Sequence, residues 1–194
     1  MNLDPIDKFL SRNHPKQLIG PWDSGWALGF HSRFQGSDWK RSQVGEMAFR
    51  LKYHSDFSVI QPLIQKMKEL IQAHPEIGQV DLIIPMPASV QRKKDPVSCF
   101  TKELASQLKV NYWPMLEKSR KTEQQKQFQT LAQKKANVAG AFRLQSSIKG
   151  KKVLVVDDLF DSGATLEEIT KLLKQAGADK VNVLTITCTI HSDR

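Results

Sequence analysis

The spacing of apolar side chains changes along the chain and predicts its secondary structure. Apolar positions three to four residues apart predict helices over roughly residues 59–73 and from Leu166 to a C-terminal cap at Gly177. A third helix is predicted after Ser98, a candidate N-cap. Short, mainly apolar runs between these helices are typical of buried strands. The runs cover residues 80–84, 153–156 and 181–190.

The order strand, helix, strand, helix, strand predicts right-handed βαβ units and an α/β fold with a parallel sheet flanked by helices. Residues 51–194 are expected to form this domain, and residues 1–50 a small N-terminal cap or hood. Residues 26–31 and 49–53 favour strands, although short apolar runs also fit helices. Residues 117–136 are polar nearly all round, which predicts either a loop or an exposed helix.

The net charge of +9 and the sequence pI of about 9.6 suit a polyanionic partner, either nucleic acid or a substrate with several phosphates. The charge is unevenly distributed. Residues 109–135 hold seven basic and two acidic side chains, whereas residues 157–168 hold five acids and no base. We therefore expect the first segment to receive anions and the second to hold a metal or sugar hydroxyls.

Neither a membrane partner nor export is expected. No apolar run reaches the roughly 20 residues of a membrane span, and Asp4 and Asp7 interrupt the start of the chain where a signal peptide would be apolar. Cys99 and Cys188 are isolated and favour neither a zinc site nor a disulfide. The expected location is the cytoplasm.

The strongest chemical signal is residues 153–166, VLVVDDLFDSGATL. The apolar run leads to the carboxyl edge of a sheet, where α/β folds bind ligands. Gly163 allows a turn whose N–H groups point inward, and the following helix N-terminus adds donors for a phosphate. Asp157 and Asp158 can bind ribose hydroxyls or hold Mg²⁺ through water. A strand followed by a capped helix explains each feature singly, but the ordered combination favours a phosphorylated ribose. The expected ligand-binding residues are Asp157, Asp158, Asp161, Ser162, Gly163, Ala164 and Thr165.

VVDDLFDSGAT resembles the phosphoribosyl-pyrophosphate (PRPP) signature of type I phosphoribosyltransferases. The resemblance implies that Asp157 and Asp158 contact the ribose 2′- and 3′-hydroxyls and that residues 161–165 hold the 5′-phosphate. It also implies that Mg²⁺ bridges the ribose and the pyrophosphate. Asp161 occupies the position of an aspartate proposed to take a proton from the base, and a helix-capping role is the alternative.

A closer resemblance covers roughly residues 26–190 and is to the ComF-like, amidophosphoribosyltransferase-like, competence-associated proteins. Two departures are the missing N-terminal four-cysteine element and residues 95–101, which replace a usual RGFNQ stretch. Lys134 or Lys135 stands near a usual arginine. The shared features are Leu51-Lys52-Tyr53, residues 84–87 followed by Arg92, and the run KANVAGAF at residues 135–142.

Two further segments resemble parts of the transferase site. Ala88, Ser89 and Arg92 follow a strand where the resemblance puts a pyrophosphate-binding loop, and a Pro-bounded turn with solvated charges is the alternative. Residues 120–135 resemble the flexible loop that closes over PRPP, with Arg120 and Lys121 as its candidate catalytic cations. An exposed charged face explains this segment equally well.

These features predict transfer of a phosphoribosyl group to a nitrogenous acceptor, with Mg²⁺ and with release of pyrophosphate. The acceptor is not readable from the sequence. Two alternatives stay open: a non-catalytic sensor of PRPP or nucleotides, and a DNA-uptake accessory that binds single-stranded DNA. A homodimer also stays open.

Overall fold

A computed structural model describes residues 14–35, 38–88 and 93–189. These ranges contain ten strands and six α-helices, with single 3₁₀ turns at Phe57–Val59 and Gln125–Gln127. In chain order the elements are β1 (Lys16–Gln17), β2 (Ser24–Ala27), β3 (Ser32–Gln35), β4 (Asp38–Arg41), α1 (Gln43–His54), α2 (Ile60–Ala73), α3 (Pro75–Gly78), β5 (Leu82–Pro85), α4 (Pro96–Leu108), β6 (Asn111–Tyr112), β7 (Leu116–Lys118), α5 (Leu131–Val138), β8 (Phe142–Leu144), β9 (Lys152–Phe160), α6 (Ala164–Gln175) and β10 (Lys180–Cys188).

The predicted α/β fold is confirmed. Six strands form one sheet in the order β1-β2-β10-β9-β5-β6, and every neighbouring pair from β2 to β6 is parallel. Only β1 at the edge runs antiparallel to its neighbour β2. The hairpins β3–β4 and β7–β8 lie outside this sheet as two-stranded units. The two longest strands, β9 and β10, occupy its middle.

Side-chain alternation along β9 divides the hydrophobic core into two layers. Val153 and Val155 pack on one face, with α6 and the β7–β8 hairpin. Leu154 and Val156 pack on the other face, with α1, α2 and α4. All four side chains are fully buried. A strand buried on both faces explains why this segment is a continuous apolar run.

The predicted helices are present, and two of them, α4 and α6, begin before the predicted residue. The helix predicted over residues 59–73 is α2, and Gly177 takes a left-handed φ of +88° after α6, as a C-terminal cap requires. The proposed N-cap Ser98 is wrong, because the carboxylate of Asp95 accepts the Ser98 N–H at 2.7 Å and α4 begins at Pro96. Proline suits this first helical position, which needs no N–H donor.

Three strand predictions also need correction. Residues 49–53 lie inside α1, whose polar exposed face suits a helix, and the strand predicted at residues 26–31 is β2, which ends at Ala27. The strand predicted over residues 153–156 continues further than expected. The backbone of β9 continues to pair with β10 up to Phe160, opposite Cys188, so both carboxylates stand on the strand.

The N-terminal segment contributes to the sheet itself. β2 pairs with β10, and the boundary proposed between residues 50 and 51 falls inside α1. Of the two alternatives for residues 117–136, the helix is present over Leu131–Val138, and a loop with one 3₁₀ turn precedes it. In the described part of the chain no helix is long and apolar enough to cross a bilayer.

Candidate functional site

The candidate site lies where β9 ends and α6 begins. We call Asp157 and Asp158 the acid pair and residues 161–165 the phosphate loop. Gly163 has φ +77°, and a Cβ built on it would come within 3.0 Å of the Phe160 ring. The turn therefore needs glycine for both its backbone conformation and its packing.

The first turn of α6 has no side-chain cap among the described residues. The first N–H groups of a helix have no intrahelical acceptor, and the helix dipole makes that end positive. Ser162 and Thr165 add half-buried hydroxyls beside it. The loop is thus suited to receive an anionic oxygen cluster such as a phosphate.

The acid pair is held in a largely desolvated position. Burial, and next the neighbouring Asp158 carboxylate, raise the pKa of Asp157 well above its usual range. The Asp158 N–H, which donates to Asp157 Oδ1 at 2.8 Å, and the Lys52 ammonium act in the opposite direction. The pair is therefore a site where added positive charge or hydroxyl donors are favoured.

Lys52 on α1 is in direct contact with the acid pair. Its Nζ lies 2.6 Å from Asp158 Oδ2, and the Asp158 side chain is only 13% exposed. Burial lowers the pKa of Lys52, but the charge and hydrogen bond of Asp158, with a contribution from Asp157, raise it overall. The neighbouring carboxylates therefore favour the ammonium form of Lys52 at this edge of the sheet.

Lys118, at the end of β7, approaches the acid pair from a different segment. Its Nζ donates to Thr122 Oγ1 at 3.0 Å. Burial lowers the pKa of Lys118, and the charge of Asp157 partly offsets that effect. A half-buried lysine therefore interacts electrostatically with Asp157.

Asp161, the candidate base, has partners on both carboxylate oxygens. Lys134 Nζ on α5 lies 2.6 Å from Oδ2, and the Thr189 hydroxyl lies 3.4 Å from Oδ1. Lys134 is mostly buried, with a side-chain exposure of 16%. The orientation of Asp161 is consequently fixed by residues outside the phosphate loop.

Helix α5 and the residues just before and after it dock on α6 through several polar contacts. Gln125 Nε2 donates to Thr165 Oγ1 at 3.3 Å, and Lys135 Nζ lies 2.6 Å from Glu167. The Gly140 N–H donates to Glu168 Oε1 at 2.7 Å. The segment between β7 and β8 therefore covers the phosphate loop from one side.

The remaining predicted site residues are Arg120, Lys121, Ala88, Ser89 and Arg92. The Arg120 guanidinium donates to the carbonyls of Asn137 and Ala139, where it caps the C-terminal end of α5, and Lys121 is exposed. Their catalytic roles stay predictions. Ala88 is exposed just past β5, while Ser89 and Arg92 lie outside the described residues.

Sequence reasoning left out three residues that the fold brings to the acids: Lys52, Lys118 and His31. Burial, and next the charge of Arg41, lower the pKa of His31, while Asp158 opposes them. Lys52 belongs to the LKY motif quoted for the ComF-like resemblance, which gave a signal for its position. No periodicity or spacing would have indicated Lys118 or His31, because their neighbours are distant in sequence.

The acid pair can take part in a magnesium site only together with a ligand. In the described ranges no group of three Asp, Glu, His or Cys side chains converges. Mg²⁺ prefers octahedral oxygen coordination and keeps several waters, so phosphates and hydroxyls of a bound substrate would have to complete its shell. The indirect, water-mediated role expected of Asp157 and Asp158 stays a prediction.

One known protein family matches part of this chain. Residues 98–192, just under half of the chain, match the phosphoribosyl transferase domain. The match contains β9, the acid pair, the phosphate loop and α6.

Curated relatives share short segments with this chain. The ribose-phosphate pyrophosphokinase of Chlorobaculum tepidum is 43% identical over 47 residues, which are 24% of this chain and 15% of that protein. The DNA utilization protein YhgH of Escherichia coli is 40% identical over 50 residues, 26% of this chain and 22% of that protein. The matches therefore span less than a quarter of these relatives.

Among solved structures, the adenine phosphoribosyltransferase of Saccharomyces cerevisiae superimposes with a TM-score of 0.46 and 20% identity, over 72% of this chain and 74% of that chain. Residues 98–192, which include the acid pair and the phosphate loop, are thus similar to a phosphoribosyl transferase domain.

Proposed function

We propose that the protein is a ComF-like phosphoribosyltransferase. It binds PRPP or ribose 5-phosphate with Mg²⁺ at the carboxyl edge of β9 and transfers the phosphoribosyl group to a nitrogenous acceptor. The observation that carries this proposal is the succession of acid pair, uncapped turn and helix N-terminus on the central parallel strand. The phosphate would bind the phosphate loop, and the ribose hydroxyls would bind the acid pair.

The chemistry follows from the charges around the ribose. The bond between ribose C1 and pyrophosphate breaks, positive charge develops at C1, and an acceptor nitrogen forms the new bond there. Mg²⁺, when bound, would supply positive charge to the departing pyrophosphate. Asp161 would take the proton of the acceptor nitrogen, and its contacts with Lys134 and Thr189 would orient it.

The discriminating assay is PRPP-dependent release of pyrophosphate, measured with a panel of purine and pyrimidine bases and small amines. Binding is measured separately, by calorimetry with PRPP and Mg²⁺. Binding together with pyrophosphate release that requires an acceptor would support the transferase. Binding without release under any acceptor would favour the sensor, and absence of binding at millimolar PRPP would refute both.

A second candidate function is binding of single-stranded DNA, and one surface favours it. We call Arg41, Phe49 and Tyr53 the aromatic face. The Arg41 guanidinium carbon lies 3.6 Å from the Phe49 ring centroid, and the Phe49 and Tyr53 rings are 5.0 Å apart. Tyr53 is 63% exposed. Exposed aromatic rings beside cations are the usual means of stacking on unpaired bases.

This second function predicts binding of an oligonucleotide that weakens steeply with salt. Tyr53→Ala should weaken it by about 1–3 kcal/mol, the usual contribution of one stacked base. Asp157→Asn should leave it unchanged. Equal loss in both variants would instead indicate that the oligonucleotide binds at the acid pair.

A further inference from the structure

Three lysines from three separate segments oppose the three carboxylates of the candidate site. Lys52 contacts Asp158 and Lys134 contacts Asp161, each at 2.6 Å, and Lys118 acts on Asp157. The inference drawn from this arrangement rests on the proposed function, because it concerns how a ribose phosphate binds at the same site.

Lys52 is the best placed of the three to act on the acid pair. It projects from α1, which packs on the face of the sheet opposite α6. Its contact with Asp158 is therefore independent of how α5 docks on the phosphate loop. Its side chain is 37% exposed, so the ammonium stays accessible to a ligand while Asp158 beneath it is almost covered.

Two adjacent carboxylates repel a phosphorylated ligand unless a cation compensates them. The interaction of unit charges about 4 Å apart is roughly 4 kcal/mol at the effective dielectric constant of a protein surface, enough to decide whether an anion binds. A divalent cation is one solution to this repulsion. A fixed ammonium already in contact with the pair is another.

We propose that Lys52 is a further ligand-binding residue of this site and neutralises the acid pair, so that ribose 5-phosphate binds without a divalent cation. Mg²⁺ is then required only for the pyrophosphate end of PRPP. The ammonium also offers donors to the ribose hydroxyls that reach Asp158. Substitution of Lys52 would convert the site into one that depends on the metal.

The test is calorimetric titration of the full chain with ribose 5-phosphate, in excess EDTA and in millimolar MgCl₂. Wild type should bind with affinities that agree within about threefold in the two buffers. Lys52→Met should bind about tenfold or more weakly in EDTA, the loss expected for one charge-assisted contact. Mg²⁺ should restore most of that loss, which a merely structural defect would not allow.

Two variants control for charge and folding. Arg50→Gln removes a cation and an ion pair with Asp56 from the same helix, away from the acid pair, and should leave binding unchanged in both buffers. Lys52→Arg keeps the charge and should retain metal-free binding. Circular dichroism melts should show that each variant is folded.

The results of the titration distinguish failure of the role of Lys52 from failure of the proposed function. Wild type that binds ribose 5-phosphate only with Mg²⁺ would overturn the role of Lys52 and leave the proposed function intact. Metal-free binding of Lys52→Met equal to wild type would do the same. Failure of wild type to bind in either buffer would refute the proposed function, and this inference with it.

Discussion

The acidic and the basic parts of the candidate site are built in different ways. The acid pair and the phosphate loop lie within nine consecutive residues at the end of one strand. The lysines that face them project from α1 on one face of the sheet and from β7 and α5 on the other face. The acid pair and the phosphate loop, which we call the contiguous part, would make the ligand contacts. The three lysines, which we call the assembled part, would set the charge around the ligand. Mutations can therefore change either part without the other.

The largest effect is expected in the contiguous part. Asp157→Asn together with Asp158→Asn should weaken ribose 5-phosphate binding by about 100-fold or more, because hydrogen bonds to charged groups contribute roughly 1.5–3 kcal/mol each. Calorimetry measures this loss. Asp179→Asn, at the opposite end of the sheet, removes an exposed carboxylate and should bind like wild type. Undiminished binding by the double variant would remove the acid pair from the site.

The turn within the contiguous part should be nearly as sensitive. Gly163→Ala should lower the free energy of unfolding by about 1–2 kcal/mol for the left-handed backbone alone. The contact of the new Cβ with the Phe160 ring adds to this cost. Thermal melting would register a loss of roughly 2–4 °C per kcal/mol for a chain of this size.

Gly150→Ala is the matched control for the turn. Gly150 has a similar φ of +72°, but nothing lies within 4 Å of a Cβ built on it. It should lose stability through backbone strain alone and should bind ligand normally. If Gly150→Ala and Gly163→Ala behave alike in stability and in binding, the phosphate loop has no special requirement for glycine.

An intermediate effect is expected where the assembled part meets the loop. Lys134→Ala should reduce kcat for phosphoribosyl transfer about tenfold, equivalent to 1.4 kcal/mol, with a smaller change in KM. The reason is that Lys134 orients the candidate base Asp161. Lys134→Arg should recover most of the rate. Lys135→Ala breaks the neighbouring ion pair of α5 with Glu167 and should leave kcat unchanged. A kcat loss of equal size in Lys135→Ala would mean that docking of α5, not Asp161, is responsible.

The smallest expected effect is a pH dependence of the folding stability that is caused by His31. Burial, then Arg41 and Lys52, lower its pKa in the folded protein, against opposing effects of Asp158 and Glu46. Below about pH 6.5 the unfolded chain therefore takes up a proton that the folded chain refuses, and stability falls as pH falls. Melting temperatures measured from pH 8 to pH 5 should decrease less for His31→Gln than for wild type. Parallel curves would show that His31 titrates normally.

Local sequence patterns predicted an element correctly wherever the residues of that element determine its structure. The apolar run before the acid pair indicated a central strand, and the helical spacing of residues 59–73 matched α2 closely. The prediction failed where contacts with other segments determine the structure. Residues 49–53 alternate apolar and basic side chains, as a strand would, yet they belong to α1. Asp157 and Asp158 are polar but remain in β9, because β9 pairs with β10 up to Phe160.

The sequence by itself determined the strand, the acid pair, the glycine turn and the helix that follows, because each depends on residues within a few positions of one another. The tertiary structure alone decided which cations face those acids. Lys52, Lys118 and Lys134 are three among many basic residues, and nothing local distinguishes them. They reach the acids because the parallel sheet brings α1 to one face and the β7–α5–β8 segment to the other, and long-range packing is not encoded in the spacing of any single segment.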